Sequence, residues 1–279
     1  MFSSRSNRHV TNKFRHRRAI VVGGASGIGW AIARRLLELK AHVCIADINH
    51  ARSLELIGQL QDKSARATAV QVNATVRSEL SAAFRLQTQT WGGLDFVFNC
   101  VGQGFVGDVR RATEAQWHAC IDSNFWSTVH GSLAALEIMS DQGSGAIVNV
   151  SSLSGLVPVA TTIPYTAAKH GVVGFTKALR AEVHDLGVRV TLACPGPVAT
   201  EFHQRIVRAG AGVSGRNVPQ GSISASEAAE QILLGVAKGR PLLVFPRSFR
   251  WRLRFATWWP EWWQRSSQQA VQRMRQQDR

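Results

Sequence analysis

Short runs rich in β-branched residues alternate along the chain with longer stretches in which apolar residues recur at helical spacing. The runs 19–23, 42–47, 68–72, 95–99, 146–151, 189–194 and 242–245 predict strands. The stretches near 28–40, 50–62, 76–90, 114–139, 164–186 and 225–237 predict helices. Runs such as FVFN and AIVNVS are apolar on both faces, the pattern of strands covered by helices on either side. This alternation predicts an α/β fold, a single doubly wound parallel sheet of about seven strands with helices on both faces and right-handed crossovers. The segment 209–226 (AGAGVSGRNVPQGSISAS) is small and polar between two helical stretches and reads as a mobile loop or lid.

A chain of 279 residues can bury one sizeable core without dividing. At 45% hydrophobic and 18% charged residues it is neither a disordered tail protein nor a collagen-like chain. Its four cysteines (Cys44, Cys100, Cys120, Cys194) are scattered with no C-x-x-C pair, so no metal site and a reducing, cytoplasmic compartment are the simpler expectations. The apolar run 19–33 follows Arg15-His16-Arg17-Arg18 as a leader's core would. It holds four glycines, has no small-residue cleavage site after it, and is too short to span a bilayer.

The formal net charge of +15 is unevenly placed: residues 1–18 carry +6 and residues 240–279 carry +7, leaving 19–239 nearly neutral at +2. Such tails can recruit a polyanion but say nothing of the chemistry between them. Three parts are expected: a basic, disordered arm over 1–18, a globular domain over 19–246, and an Arg/Trp-rich extension over 247–279. Within the extension, FRWRLRFATWWPEWW holds five of the nine tryptophans. Arg beside Trp suits a bilayer interface and a peripheral membrane contact. FRWRLRF alternates with period two, however, and Pro260 interrupts a helix, so packing on the body or on another subunit stands equally.

Val22-Gly23-Gly24-Ala25-Ser26-Gly27-Ile28-Gly29 lies between the first predicted strand and the first predicted helix. Glycine there allows a tight turn and close approach to a pyrophosphate, which free N–H groups and the dipole of a helix N-terminus favour. Asp47 ends the second strand, eighteen residues past Gly29. A carboxylate at that place can accept from both ribose hydroxyls and repels a 2′-phosphate, and Ser26 offers no cation to offset one, so NAD(H) is favoured over NADP(H). The alternative for Asp47 is a cap on the helix near Asn49.

Tyr165 and Lys169 stand four residues apart and hence on one helix face. A phenol titrates near ~10, and a neighbouring cation favours its phenolate and moves it toward working pH. Such a pair can pass a proton to or from an alcohol or ketone oxygen. Tyr165 is also the sole tyrosine. Ser152, just past the strand 146–151, can hydrogen-bond the same oxygen as charge develops on it. Ser151 competes, although strand alternation turns only one of the two toward the crevice. Asn124 falls mid-helix in CIDSNFWS. It is either solvent-facing, or bonded to the backbone so that it kinks the helix and positions a water near Lys169.

Taken in order, the glycine loop, Asp47, Asn99, Asn124, Ser152, Tyr165, Lys169 and Pro195-Gly196-Pro197-Val198-Ala199-Thr200 resemble the short-form short-chain dehydrogenase/reductases, over 19–200 and more weakly to 245. The resemblance implies a Rossmann-type catalytic domain with strand order 3-2-1-4-5-6-7 and a nicotinamide cofactor, NAD ahead of NADP. It implies a tetrad, Asn124, Ser152, Tyr165 and Lys169, exchanging proton and hydride with an alcohol or ketone. It assigns Gly23, Ser26, Gly27, Ile28, Gly29 and Asp47 to the cofactor, with Asn99 on the adenosine side. Tyr165 and Lys169 with Val198 and Thr200 fall to the nicotinamide half, and a homodimer or homotetramer is implied through the helices carrying Asn124 and Lys169. The chain departs from the family pattern at Val22 (usually Thr), at Cys100-Val101 (usually Asn-Ala), and at Gln71, which stands where an Asp commonly contacts adenine.

The segments 103–106, 153–158 and from Phe202 onward are mostly apolar, with Arg205, Arg208 or Arg216 able to swing in. They predict a hydrophobic secondary alcohol or ketone, steroid-, retinoid- or fatty-acyl-like. An NADPH-dependent 3-oxoacyl or ketone reductase is the alternative within enzymes. A non-catalytic dinucleotide-binding scaffold recruited to membranes by the basic tails is the alternative outside them. A nucleic-acid partner is disfavoured because the body lacks a basic stripe.

Overall fold

Burial along the strand Arg18–Val22 alternates between two cores: Ala19 and Val21 join one apolar cluster, Ile20 and Val22 the other. A strand buried on both faces belongs inside a helix-covered parallel sheet, and the computed structural model, which describes residues 4–60, 66–210 and 219–277, has that architecture. Its main sheet consists of β1 (Arg18–Val22), β2 (His42–Asp47), β3 (Ala67–Gln71), β4 (Phe96–Asn99), β5 (Gly145–Val150), β6 (Val188–Pro195) and β7 (Leu242–Phe245). The spatial order is 3-2-1-4-5-6-7, with every pairing parallel. The predicted strands reappear with ends moved by one residue at most, and 42–47 and 242–245 unmoved.

One face of the sheet is covered by α1 (Ser4–Phe14), α2 (Gly27–Glu38), α3 (His50–Gly58) and α8 (Ala225–Ala237), the other by α4 (Arg77–Trp91), α6 (Ser127–Gln142) and α7 (Ile163–Glu182). Capping residues set several helix ends. Thr113 and Gln116 form a capping box at α5 (Glu114–Ile121), as Ser224 and Glu227 do at α8, and left-handed Gly92 and Gly143 stop α4 and α6. The predicted helix 114–139 is broken by a π-helical turn over Asp122–Trp126, between α5 and α6. Of the segment 209–226 expected to be a loop or lid, Ala209 pairs in a short strand, Ile223 and Ser224 lead into α8, and 211–218 lie outside the described residues.

Both tails are more helical than expected. The N-terminal arm is not disordered over its length, because Ser4–Phe14 is helical. Val10 and Phe14, four residues apart in a polar segment, are 2% and 0% exposed and join the α2–α8 core, with Phe14 packed 4.8 Å from Phe96. The arm's end is held by Asp95, whose carboxylate pairs with Arg17 at 3.0 Å and Arg18 at 2.7 Å. At the other end, the chain is helical on both sides of the expected interruption at Pro260, giving α9 (Ser248–Trp258) and α10 (Pro260–Gln277). Among the described residues, no helix is long and apolar enough to cross a membrane.

Because Phe14 is fully enclosed, Phe14→Ala should lower the free energy of unfolding by about 3–5 kcal/mol in urea titrations. A change within about 0.5 kcal/mol would mean that the arm does not belong to the folded core.

Candidate active site

The C-terminal ends of β1, β2, β4, β5 and β6 open into one cavity of about 970 Å³. It sits over the point where the sheet order reverses, between β1 and β4, the place where adjacent loops part in a doubly wound sheet. At one end it is floored by Gly23, Ser26, Gly27 and Ile28 and edged by Asp47 and Ile48. Gly23 and Gly27 take positive φ (+74° and +53°), and a Cβ on Gly23 would stand 2.9 Å from the Val101 amide nitrogen. Gly29 is not a lining residue. A Cβ there would collide with the Gly23 carbonyl oxygen, so its bareness lets α2 seat on the loop.

Ser26 stands at the N-cap of α2 with no side-chain hydrogen bond to the helix. Asp47 accepts from the Ala25 amide through Oδ2 and the Asn49 amide through Oδ1, both at 2.9 Å, and thereby ties the glycine loop to the start of α3. The cap of α3 is Asn49, whose Oδ1 accepts from Arg52 N. Asp47 is thus not the cap, and its carboxylate also edges the cavity.

Asn99 does not line the adenosine side as expected. Its amide is 2% exposed and donates to Asn149 Oδ1 at 2.8 Å and Ser132 Oγ at 3.2 Å, while Cys100, Val101 and Gly102 meet the cavity. Strand alternation explains this, since Asn99 is the last residue of β4 and points into the sheet's covered face. Gln71, the expected adenine contact, is exposed and outside the lining, where Val72, Asn73 and Ala74 stand instead. Val198 and Thr200 line the cavity, with Thr200 Cβ facing Gly27.

Of the four expected catalytic residues, Ser152, Tyr165 and Lys169 line the cavity, and Asn124 lies buried behind its wall at Gly102. Of the two serines, Ser152 accepts from Ser154 N at 3.1 Å and hydrogen-bonds Tyr165, whereas buried Ser151 donates to the Lys169 carbonyl at 3.0 Å. Lys169 Nζ lies 5.7 Å from the Tyr165 ring centroid and donates to the Val150 carbonyl at 3.1 Å. Asn124, in the π-helical turn, is fully buried, not solvent-facing. Its Nδ2 donates to the carbonyls of Gln103 (2.8 Å) and Cys120 (2.9 Å), which fixes the amide's orientation. Its Oδ1 is left buried without a partner, and a Cβ on Gly102 would lie 2.9 Å from that oxygen and 3.4 Å from Lys169 Nζ. The two polar atoms thus border one small space, as a water site requires.

The expectation that Lys169 acidifies Tyr165 fails in this geometry. Burial dominates and pushes the phenol up to about 12, against the hydrogen bond from Ser152. Burial also pushes Lys169 down to about 8, with the thiols of Cys120, Cys194 and Cys100 working the other way. Sequence periodicity could not foresee this desolvation, because it arises where several elements meet.

The other end of the cavity is apolar, with Phe105, Val106, Leu153, Val157, Phe202 and Ile206 around it. Phe249, Leu253 and Trp263 from α9 and α10 complete it, and Trp263 Nε1 donates to the Pro158 carbonyl at 2.8 Å. The sequence marked these residues only as a Trp-rich segment. Arg205 also lines the wall, but its guanidinium is held by Glu201 at 2.7 Å; Arg208 donates to the Ile206 carbonyl, and Arg216 is outside the described residues.

A lysine whose pKa is lowered on folding loses its proton in the native state first, so native stability rises with pH between about 8 and 10.5. Lys169→Met should therefore stabilise the protein at neutral pH by on the order of 3 kcal/mol, and the wild type should recover that difference between those two pH values. A wild-type-minus-variant difference that does not change with pH in urea titrations would contradict the buried cation.

A family model described as short chain dehydrogenase matches residues 17–210. Cyclohexanol dehydrogenase of Acinetobacter sp. (strain SE19) is 31% identical over 202 residues, 70% of this chain and 80% of that protein. An uncharacterised oxidoreductase of Staphylococcus aureus (strain USA300) is 35% identical over 182 residues, 65% of this chain and 78% of the relative. Among solved structures, a short-chain dehydrogenase/reductase from Burkholderia phymatum in complex with NAD superposes with a TM-score of 0.81 at 21% identity, covering 89% of this chain and 95% of that one. The apo form of LigD from Sphingobium sp. strain SYK-6 does so with a TM-score of 0.74 at 20% identity, covering 86% and 94%. The chain belongs to the short-chain dehydrogenase family and, with it, to the oxidoreductases.

Proposed function

We propose that the protein interconverts a hydrophobic secondary alcohol and its ketone, with NAD(H) as the redox partner. The observation that carries the reading is that Ser152, Tyr165 and Lys169, backed by buried Asn124, line one cavity that continues from a glycine turn to an apolar end. The residues present fit a dinucleotide: the bare Gly23–Gly27 floor leaves room for a pyrophosphate at the uncapped N-terminus of α2. Gly23, Ser26, Gly27 and Ile28 would hold the pyrophosphate and Asp47 the adenosine ribose. Val198, Thr200, Tyr165 and Lys169 would hold the nicotinamide half. Giving or taking a hydride is the chemistry a nicotinamide dinucleotide supplies when bound there.

The chain's own residues account for the proton. Tyr165 is held protonated at neutral pH by its burial, so it is ready to donate to a ketone oxygen, which Ser152 helps position. In the reverse direction it must first release that proton, and the space between Asn124 Oδ1 and Lys169 Nζ offers a route by way of a water. The apolar end favours a lipophilic substrate, and the similarity to a cyclohexanol dehydrogenase supports a cyclic or other secondary alcohol.

NAD(H) is preferred on the ground that both oxygens of Asp47 are fixed by backbone amides at the cavity's edge, where a carboxylate repels a 2′-phosphate. Asp47→Ser should raise the ratio of kcat/KM for NADPH over NADH by about tenfold or more, and an unchanged ratio removes Asp47 from cofactor choice. Tyr165→Phe should lower turnover in both directions by roughly 10²–10⁴-fold while leaving dinucleotide binding, measured by fluorescence titration, within about threefold. In the wild type, alcohol oxidation should climb as pH rises above neutrality while ketone reduction does not. Turnover by Tyr165→Phe at the wild-type rate would end the proposed chemistry.

A further inference from the structure

The last two helices carry apolar residues on two opposite sides. On α9, Phe249, Leu253 and Ala256 follow at i, i+4 and i+7 and face the body; Phe249 and Leu253 line the cavity and Ala256 is buried. Trp251, Phe255 and Trp258 repeat the spacing two residues on and face out, with Trp251 at 72% and Trp258 at 71% exposure. Phe255 stacks on Trp259 at 5.0 Å and meets Trp262 edge-on at 5.0 Å, and Trp258 lies 6.1 Å from Trp259. These outer rings form a patch, not a scatter of single exposed residues.

The pair is fixed to the body by its other side. Trp263 bonds the Pro158 carbonyl, half-buried Ser267, Val271 and Met274 follow at helical spacing, and Arg275 reaches the Asp108 carboxylate at 3.0 Å. Arg110 grips the same carboxylate, and the two guanidiniums hold Asp108 far below the usual carboxylate range. The outward aromatics are therefore presented on an anchored element.

Their chemistry points to a lipid headgroup region. Indoles place an apolar body and one N–H at headgroup depth, and the segment 240–279 carries +7, with Arg247, Arg265 and Arg273 exposed. Each such cation near an anionic bilayer adds to the attraction. We propose that α9 and α10 dock this protein on an anionic lipid surface, with the apolar end of the cavity directly beneath, so that a lipophilic alcohol or ketone enters from the bilayer. The delivery half of this proposal rests on the oxidoreductase reading above; the docking half does not.

The test is sedimentation of the full chain with vesicles of phosphatidylcholine alone and with vesicles containing phosphatidylglycerol. Binding to the anionic vesicles, weakened by salt, is expected, together with quenching of tryptophan fluorescence by brominated lipid. The variant Trp258→Ser/Trp259→Ser/Trp262→Ser, altered only at exposed positions, should bind roughly tenfold more weakly. It should keep its turnover of a water-soluble cyclic alcohol and lose turnover of a ketone dissolved in the vesicles. Absence of binding to anionic vesicles, or equal binding by the variant, overturns docking. Docking is overturned equally if the substitutions dissociate a dimer without changing vesicle binding, for the patch then joins two copies of this chain. Vesicle binding by a wild type that turns over no alcohol or ketone overturns the oxidoreductase reading and the delivery half, and leaves docking standing.

Discussion

The site is organised around two titratable side chains, Tyr165 and Lys169, buried side by side with no carboxylate in contact among the described residues. Lys169 Nζ has a carbonyl acceptor and a surround of three thiols. Taking an ammonium out of water without a counter-charge costs several kcal/mol, so the rest of the fold must hold α7 in place by other means. It does so with neutral hydrogen bonds. Ser151 holds the Lys169 carbonyl, Asn149 Nδ2 reaches Thr176 on α7 at 3.1 Å, and Ser132 on α6 and Asn99 on β4 complete a buried chain. Gly155 lets the turn after β5 pass close to α7, since a Cβ there would lie 2.5 Å from the Lys169 carbonyl oxygen.

This arrangement explains why burial acts oppositely on the two groups. Low dielectric disfavours both charged forms, so the phenol keeps its proton and the ammonium gives its proton up more readily. The pair stands near neutral pH as a proton-bearing acid next to a cation with reason to discharge. Asn124 belongs to the same balance. Its π-helical turn aims the amide inward, and two backbone carbonyls use its donors while its oxygen stays free toward Lys169.

Much of this was legible in the chain. Two-faced apolar runs with helical stretches between them place the strands to within a residue, because such runs are buried only inside a helix-covered parallel sheet. The spacing of Tyr165, Lys169 and Ser152 was legible for a similar reason, since one helix and one strand end place them. What was not legible depends on meetings between distant elements. Val10 and Phe14 are the only two apolar positions of the basic stretch 4–18, and their burial needs α8 and β4 beside them. Asn99 looked like a cavity residue until its neighbours Ser132 and Asn149 claimed its amide. The alternation of FRWRLRF hid a helix with two apolar sides, one against the body and one exposed, because each side alone is too sparse to read as a stripe.

Since Tyr165 is the sole tyrosine, its titration can be followed without ambiguity. Phenolate absorbance, taken as the difference between wild type and Tyr165→Phe after rapid pH jumps on native protein, reads the proton on which the account turns. A phenol desolvated beside Lys169 should stay protonated through the ordinary tyrosine range and ionise only toward about 12. A midpoint at or below ~10 would show that the cation, not burial, governs the site and would contradict the account.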